Sequence, residues 1–289
     1  MSEVAKERFG RFGGRERPPL GRYGPAGESS AADGRRGEVL QFSPADIVAN
    51  ARRHGPGGRL VSLWLRQRIR ERKLRRQKRV EFRSPDNGNA RHAYAAMGVD
   101  EFTDINLLQA WSDWRTIPRC LSGRLPDRPA RAIDLCCGVG ESTSVLAFYY
   151  PAGSRLLGLD SNPSFVEVAR GRPYRCLDGS PARVSFYVQS VLESFRDAEG
   201  RVLDETSIDA VNASGAVGCH FRPEATELIA KECARVMRPG GLAMLDSGRE
   251  GTGPEELAAI FAKLGFRLSG RTRSCALDRH WQLCFKKGE

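Results

Sequence analysis

The 289-residue sequence predicts an α/β fold: a doubly wound, mostly parallel sheet, preceded by a helical and partly disordered basic extension. Three observations carry the prediction. From about Ala93 onward short apolar runs alternate with helical patterns, the first such run ends in a glycine loop, and the second ends in an acid. Strands alternating with helices of this kind give a parallel sheet covered on both faces.

Residues 1–38 are rich in Gly, Arg, Pro and Ser and poor in apolar residues, so burial cannot offset the entropy of ordering them, and a disordered tail is expected. "FSPADIVANARRHGPGG" then reads as one short helix, with Ser43 as N-cap, Pro44 in the first turn, Ile47 and Val48 apolar, and Gly55 and Gly57 as stops. "LVSLWLRQRIRERKLRRQKRV", 60–80, reads as a basic amphipathic helix whose apolar face is Val61, Trp64, Leu65 and Ile69. Three roles for it stay open: docking that face on the body, lying on an anionic membrane surface, or gripping RNA over residues 60–83.

"FTDINLLQAWSDWRTIPRCLSGRLPDRP" reads as a helix with Thr103 as N-cap and an end near Pro118. Candidate strands follow at 132–136, 155–160, 184–189, 208–213 and 242–247, with helices at 141–149, 163–170, 223–237 and 254–264. "FRLSGRTRS" and "HWQLCFKK" close the chain as an antiparallel pair at one sheet edge. The expected division is a tail over 1–38, a basic helical extension over 39–92 and an α/β domain over 93–289.

Charge is placed unevenly. Up to residue 95 there are 22 Lys and Arg against 10 Asp and Glu, a net of +12, while the remainder has 24 against 25. The basicity belongs to the extension, which counts against an RNA-gripping catalytic face. No apolar run reaches the roughly 18 residues of a membrane span, no export signal is read at the start, and a cytoplasmic location is expected. The eight cysteines form no CxxC pair, so no metal site is expected and all are read as reduced, mostly buried thiols.

In "DLCCGVG" the glycines Gly138 and Gly140 allow a tight turn close to a ligand, and the next helix points free N–H groups at it. Asp160 ends the second strand, where an acid accepts hydrogen bonds from both hydroxyls of a ribose. A dinucleotide loop needs glycine where Thr143 stands, and the Asp134 charge opposes a pyrophosphate. A cationic nucleoside suits the loop better.

In these motifs, "AIDLCCGVGES", "LLGLDSN", "SIDAVNASGAVGCHF" and "ARVMRPGGLAMLDSG", the chain resembles the class I S-adenosylmethionine-dependent methyltransferases. The resemblance implies a seven-stranded sheet with its last strand inserted antiparallel, S-adenosylmethionine as cofactor and methyl transfer as activity. It implies that Asp134, Gly138 and Gly140 hold the methionine part with Cys136 in the motif beside them, Asp160 the ribose, Ser161 and Asn162 the adenine edge, with Ser190 and Val191 at the adenine amino group and Asn212 a polar candidate facing the methyl group after the fourth strand. Val191 stands where the family has an acid, and Cys136 where it has glycine. His220 is the candidate general base and Ser214 a polar neighbour of the acceptor, while Tyr94, Trp111 and Trp114 read either as a lid or as sheet packing. Without "NPPY", "DPPY" or "PC" after the fourth strand, a small-molecule acceptor is favoured over amide, adenine or cytosine targets. RNA methylation and non-catalytic binding of S-adenosylmethionine are the alternatives.

Overall fold

The structure is a computed structural model that describes residues 60–78, 94, 97–275 and 278–289. The tail expected over 1–38 and the helix expected after Ser43 lie outside the described residues. The strands are β1 (Arg131–Leu135), β2 (Arg155–Asp160), β3 (Arg183–Val188), β4 (Ile208–Ala213), β5 (Met237–Ser247), β6 (Phe266–Thr272) and β7 (Trp281–Lys287). The helices are α1 (Leu60–Lys78), α2 (Val99–Ile105), α3 (Leu107–Leu121), α4 (Glu141–Tyr149), α5 (Pro163–Arg170), α6 (Val217–His220), α7 (Pro223–Val236) and α8 (Pro254–Lys263).

The strands form one sheet in the order β3-β2-β1-β4-β5-β7-β6. β1 to β5 pair in parallel, while β7 is antiparallel to both β5 and β6. Alternate strand residues feed two cores. Ile133, Leu135, Leu159 and Val211 pack with Ile229, Cys233, Leu257 and Phe261 of α7 and α8, while Ala132, Leu156, Ala210 and Met244 pack with Trp114, Ile117, Val145 and Leu146 of α3 and α4. Burial on both faces makes these strands continuous apolar runs. β5 begins earlier than its apolar run, because Met237 already pairs with Ile208. An irregularity follows before Ala210 meets Leu242, and Gly240 takes φ 77 within it. The chain order reverses between β1 and β4, and ligands in such sheets bind at that switch point, beyond the strands' carboxyl ends.

Three expectations are corrected. The helix placed after Thr103 is two helices, broken at Asn106. Thr103 lies inside α2, its Oγ1 donating to the Val99 carbonyl at 2.9 Å, and the start is fixed instead by Glu101 Oε2, which accepts the Gly98 N–H at 2.9 Å. Pro118 does not end α3, because the buried Ile117, Cys120 and Leu121 hold its last turn.

α1 does dock on the body, but not by its apolar stripe. Val61, Trp64, Leu65 and Ile69 are exposed at 73%, 48%, 52% and 58%, whereas Leu63, Gln67, Glu71 and Leu74 are buried. Gln67 decides the orientation: its Oε1 accepts the Leu108 N–H at 3.0 Å, at the start of α3, and its Nε2 donates to Glu71 Oε1 at 2.9 Å. A free helix N-terminus needs such acceptors. Arg70 to Asp104 at 3.4 Å and Lys78 to Glu101 at 2.8 Å flank the contact.

The thiols are not all reduced. Cys120 of α3 and Cys284 of β7 form a disulfide with Cα atoms 6.0 Å apart, across a sequence separation of 164. No short spacing marks the pair, so only the packing of α3 on β7 reveals it.

Candidate active site

A cavity of about 630 Å³ opens at the carboxyl ends of β1, β2 and β4. Gly138 lies on its floor with φ 52, while Gly140, which does not line the cavity, turns the chain into α4 with φ 84; both are in the left-handed region that suits glycine. A Cβ at Gly140 would collide with Tyr174 Oη, and one at Gly138 would lie 2.8 Å from the Phe102 ring. Asp160 locks the loop to the end of β2: its Oδ2 accepts the Gly138 N–H at 2.9 Å and its Oδ1 the Asn162 N–H at 2.8 Å. Burial raises the Asp160 carboxyl despite these N–H groups.

Cys136 takes φ 53, a left-handed backbone that ordinary angles would not give. Burial pushes the Cys136 and Cys137 thiols well above the usual range, further raised by Asp160, so neither is an activated thiolate. Cys136 forms part of the cavity wall and Cys137 part of the α3–α4 core.

Asp134 lies beneath the loop rather than on the wall. It is 1% exposed, and it accepts hydrogen bonds from Ser142 Oγ at 2.7 Å, Thr143 Oγ1 at 2.5 Å and Asn212 Nδ2 at 2.7 Å. Burial raises its carboxyl against those three donors. Thr143, which broke the dinucleotide pattern in the sequence, is one of them. Asp134 and Asn212 therefore join β1, β4 and the start of α4 from behind the site.

On the wall stand Ser161 and Asn162 beyond β2, Ser190 and Val191 beyond β3, and Ser214 and His220 beyond β4. Asn162 caps α5, its Oδ1 accepting from the Ser164 and Phe165 N–H groups, and its Nδ2 donates to the Tyr94 carbonyl at 3.1 Å. Tyr94 Oη in turn sits 3.0 Å from His220 Nε2, with the rings edge to face at 5.2 Å. Trp111 and Trp114 are absent from this wall. Trp114 packs on Phe148 and Tyr149, and Trp111 stacks under the Arg115 guanidinium 3.7 Å away, which is the packing alternative rather than a lid.

Two acids escaped the sequence reading. Asp113 reaches the wall from α3 beside Gln109, whose Nε2 donates to its Oδ1 at 2.7 Å, and burial raises its carboxyl strongly. Its only sequence signal is a charge inside the apolar stripe "QAWSDWR". Asp246, at the end of β5, accepts the N–H groups of Ala216, Val217 and Gly218 at 2.9, 3.0 and 2.9 Å and so fixes the turn that carries His220.

The family model described as "Methyltransferase domain" matches residues 132–241, the stretch that builds this floor and most of this wall. Residues 132–241 are thus similar to a methyltransferase domain. Trans-aconitate 2-methyltransferase of Methylobacterium radiotolerans is 41% identical over 68 residues, covering 23% of this chain and 26% of that protein. Its namesake from Methylobacterium nodulans is 44% identical over 64 residues, 22% of this chain and 24% of that protein. The chain thus spans about a quarter of the length of these curated relatives. A methyltransferase solved in complex with the Haloferax volcanii Trm112 methyltransferase activator shares the fold, with a TM-score of 0.51 at 18% identity over 68% of this chain and 97% of that one.

The cofactor of class I methyltransferases is S-adenosylmethionine, and the donor set here suits it. The wall presents Asp113, Glu141, Asp160 and Glu193, and no Lys or Arg among the described residues. Glu141 is paired with Arg172 at 2.8 Å and burial favours a neutral Asp113, so Asp160 and Glu193 are the acids that favour a sulfonium and an ammonium over a phosphate. The glycine floor gives the close backbone approach such a ligand needs. In the methyltransferase domain, the first contacts to the cofactor would come from Cys136 to Gly138 and from Asp160, with Asp134 acting through them.

Proposed function

We propose that the chain transfers the methyl group of S-adenosylmethionine to a small-molecule acceptor. The observation that carries the reading is the acid-walled cavity over a glycine floor at the switch point of the sheet. Bound there, S-adenosylmethionine supplies a carbon already activated for displacement. The protein's own task is to hold an acceptor atom about 3–3.5 Å away and in line, shielded from water, and to take up its proton. Asp160 would hold the ribose hydroxyls through the lone pairs not used by Gly138 and Asn162. Ser161, Asn162, Ser190 and Val191 would border the adenine.

His220 is the proposed proton acceptor at Nε2, the atom that Tyr94 Oη now contacts. An acceptor hydroxyl would replace Tyr94 or pass its proton through it. Ser214 would orient the acceptor from the end of β4. Trans-aconitate is a tricarboxylate, and a wall bearing four acids suits it poorly. The acceptor here is then a neutral or cationic small molecule.

Calorimetry tests the binding step. Asp160→Ala is expected to weaken S-adenosylmethionine more than tenfold, whereas His220→Ala keeps the affinity and loses transfer by about 10²-fold or more. No heat with S-adenosylmethionine or its demethylated product would sink the reading. Transfer of label from the donor into a cell extract separates an enzyme from a binding protein.

The exposed stripe of α1 favours an anionic membrane surface over RNA as the partner of the extension. Val61, Trp64, Leu65 and Ile69 are apolar and outward, next to the exposed Arg66, Arg70 and Arg72, which is the composition of an interfacial helix. Sedimentation with anionic but not neutral vesicles checks it.

A further inference from the structure

Cys219 on α6, Glu250 in the loop after β5 and His280 just ahead of β7 come from three separate elements, yet their ligand atoms all lie within 4.8 Å of one another. Cys219 Sγ is 3.3 Å from His280 Nε2. None of the three belongs to the cavity wall, although Cys219 is next to His220 in the chain.

The backbones that bring them together are fixed. Gly251 N–H donates to the Gly218 carbonyl at 2.8 Å and Thr252 N–H to the Val217 carbonyl at 3.2 Å, which holds the Glu250 loop against α6. A Cβ at Gly248 would lie 2.5 Å from His280 Cδ2 and 2.8 Å from the Gly218 carbonyl oxygen, so glycine there permits the approach. Behind the imidazole, Asp278 Oδ1 stands 3.6 Å from His280 Nδ1 and accepts the His280 N–H at 3.0 Å, and Ser274 Oγ donates to the other Asp278 oxygen. Nε2 is thereby turned toward Cys219.

Zinc bonds of about 2.3 Å to sulfur and 2.0–2.1 Å to nitrogen, set tetrahedrally, separate the two ligand atoms by about 3.6 Å. The observed 3.3 Å is close to that, and a Glu250 carboxylate oxygen lies within 4.8 Å of both. One thiolate, one imidazole and one carboxylate suit a borderline-soft cation and not Mg²⁺ or Ca²⁺, which take oxygen ligands. A carboxylate behind the distal ring nitrogen is the arrangement that orients a metal-bound histidine.

We propose that Cys219, Glu250 and His280 bind a divalent ion of the zinc class, with Asp278 as the positioning residue and the fourth coordination position left to water. The ion would tie α6, the loop after β5 and the start of β7 together directly behind His220.

The full-length chain, stripped with a chelator and held under inert gas so that Cys219 stays a free thiol and the Cys120–Cys284 bond stays intact, is titrated with Zn²⁺ and Co²⁺. One ion per chain is expected, with a thiolate-to-cobalt charge-transfer band in the near ultraviolet and a raised Tm. Cys219→Ser abolishes the band, His280→Gln weakens uptake by more than tenfold, and Asp278→Asn weakens it about 10-fold or more. Absence of stoichiometric uptake by the parent chain overturns the proposal. So does a band that survives in a Cys219→Ser variant melting like the metal-free parent, or unchanged affinity in His280→Gln, which carries the test where the serine variant does not fold.

Discussion

Cys136 holds a left-handed backbone, which costs an L residue about 1–2 kcal/mol. Cys136→Gly removes that strain and adds freedom to the unfolded chain, so a net stabilisation of up to about 1 kcal/mol is expected in urea unfolding. Asp113 offers a pH test with a fixed sign. Its folded-state carboxyl is raised by burial, so the stability it contributes is full below the ordinary carboxylate range and is lost as pH rises through the folded value. Asp113→Asn should match the parent near about pH 4, where a free carboxyl begins to ionise, and exceed it increasingly toward neutrality in a Tm series. Asp160 and Gly138 were legible in the sequence because the glycine loop and the strand end are local patterns. Asp113, Gln109 and Asp246 were not, because what they serve comes from distant segments: Asp246 caps a turn 28 to 30 residues earlier in the chain. Asp134 was legible as necessary, yet the three donors that occupy it appear only once β1, β4 and α4 are packed.

Among the elements, α1 shows where periodicity misleads. Its apolar stripe is the stronger pattern, but the docked face is set by Gln67 filling an open N–H of α3 and by Leu74 entering the small core of Met97, Ile105, Val139 and Phe165. Leu74→Ala is therefore expected to cost about 2–5 kcal/mol, while Leu65→Ser on the exposed stripe should change stability by under about 0.5 kcal/mol in chemical denaturation. The same serine variant should reduce sedimentation with anionic vesicles, which separates the two faces of one helix. The strands were easier to read, since burial on both faces leaves long apolar runs. The Thr103 and Pro118 boundaries went astray because Glu101 and the buried end of α3 outweigh local capping signals.

Over the whole molecule charge is unevenly placed. The excess of +12 lies before residue 96, whereas the cavity wall carries Asp113, Glu141, Asp160 and Glu193. Alkylation without reductant, after denaturation, should label six cysteines, and eight after reduction, because Cys120 and Cys284 are joined. Losing that bond, which links α3 to β7 across the sheet, should lower stability by about 2–5 kcal/mol. The place of β7 has a further consequence for how the chain reaches this state. β5 is made well before the strand that covers it, and β6, synthesised in between, pairs with β7 rather than with β5. Until Trp281–Lys287 threads into that gap, two strand edges carry unmet amides and carbonyls. During synthesis the half-built sheet is therefore a template for other chains, and a holdase or low expression temperature should raise the soluble yield by guarding the interval before the gap is filled.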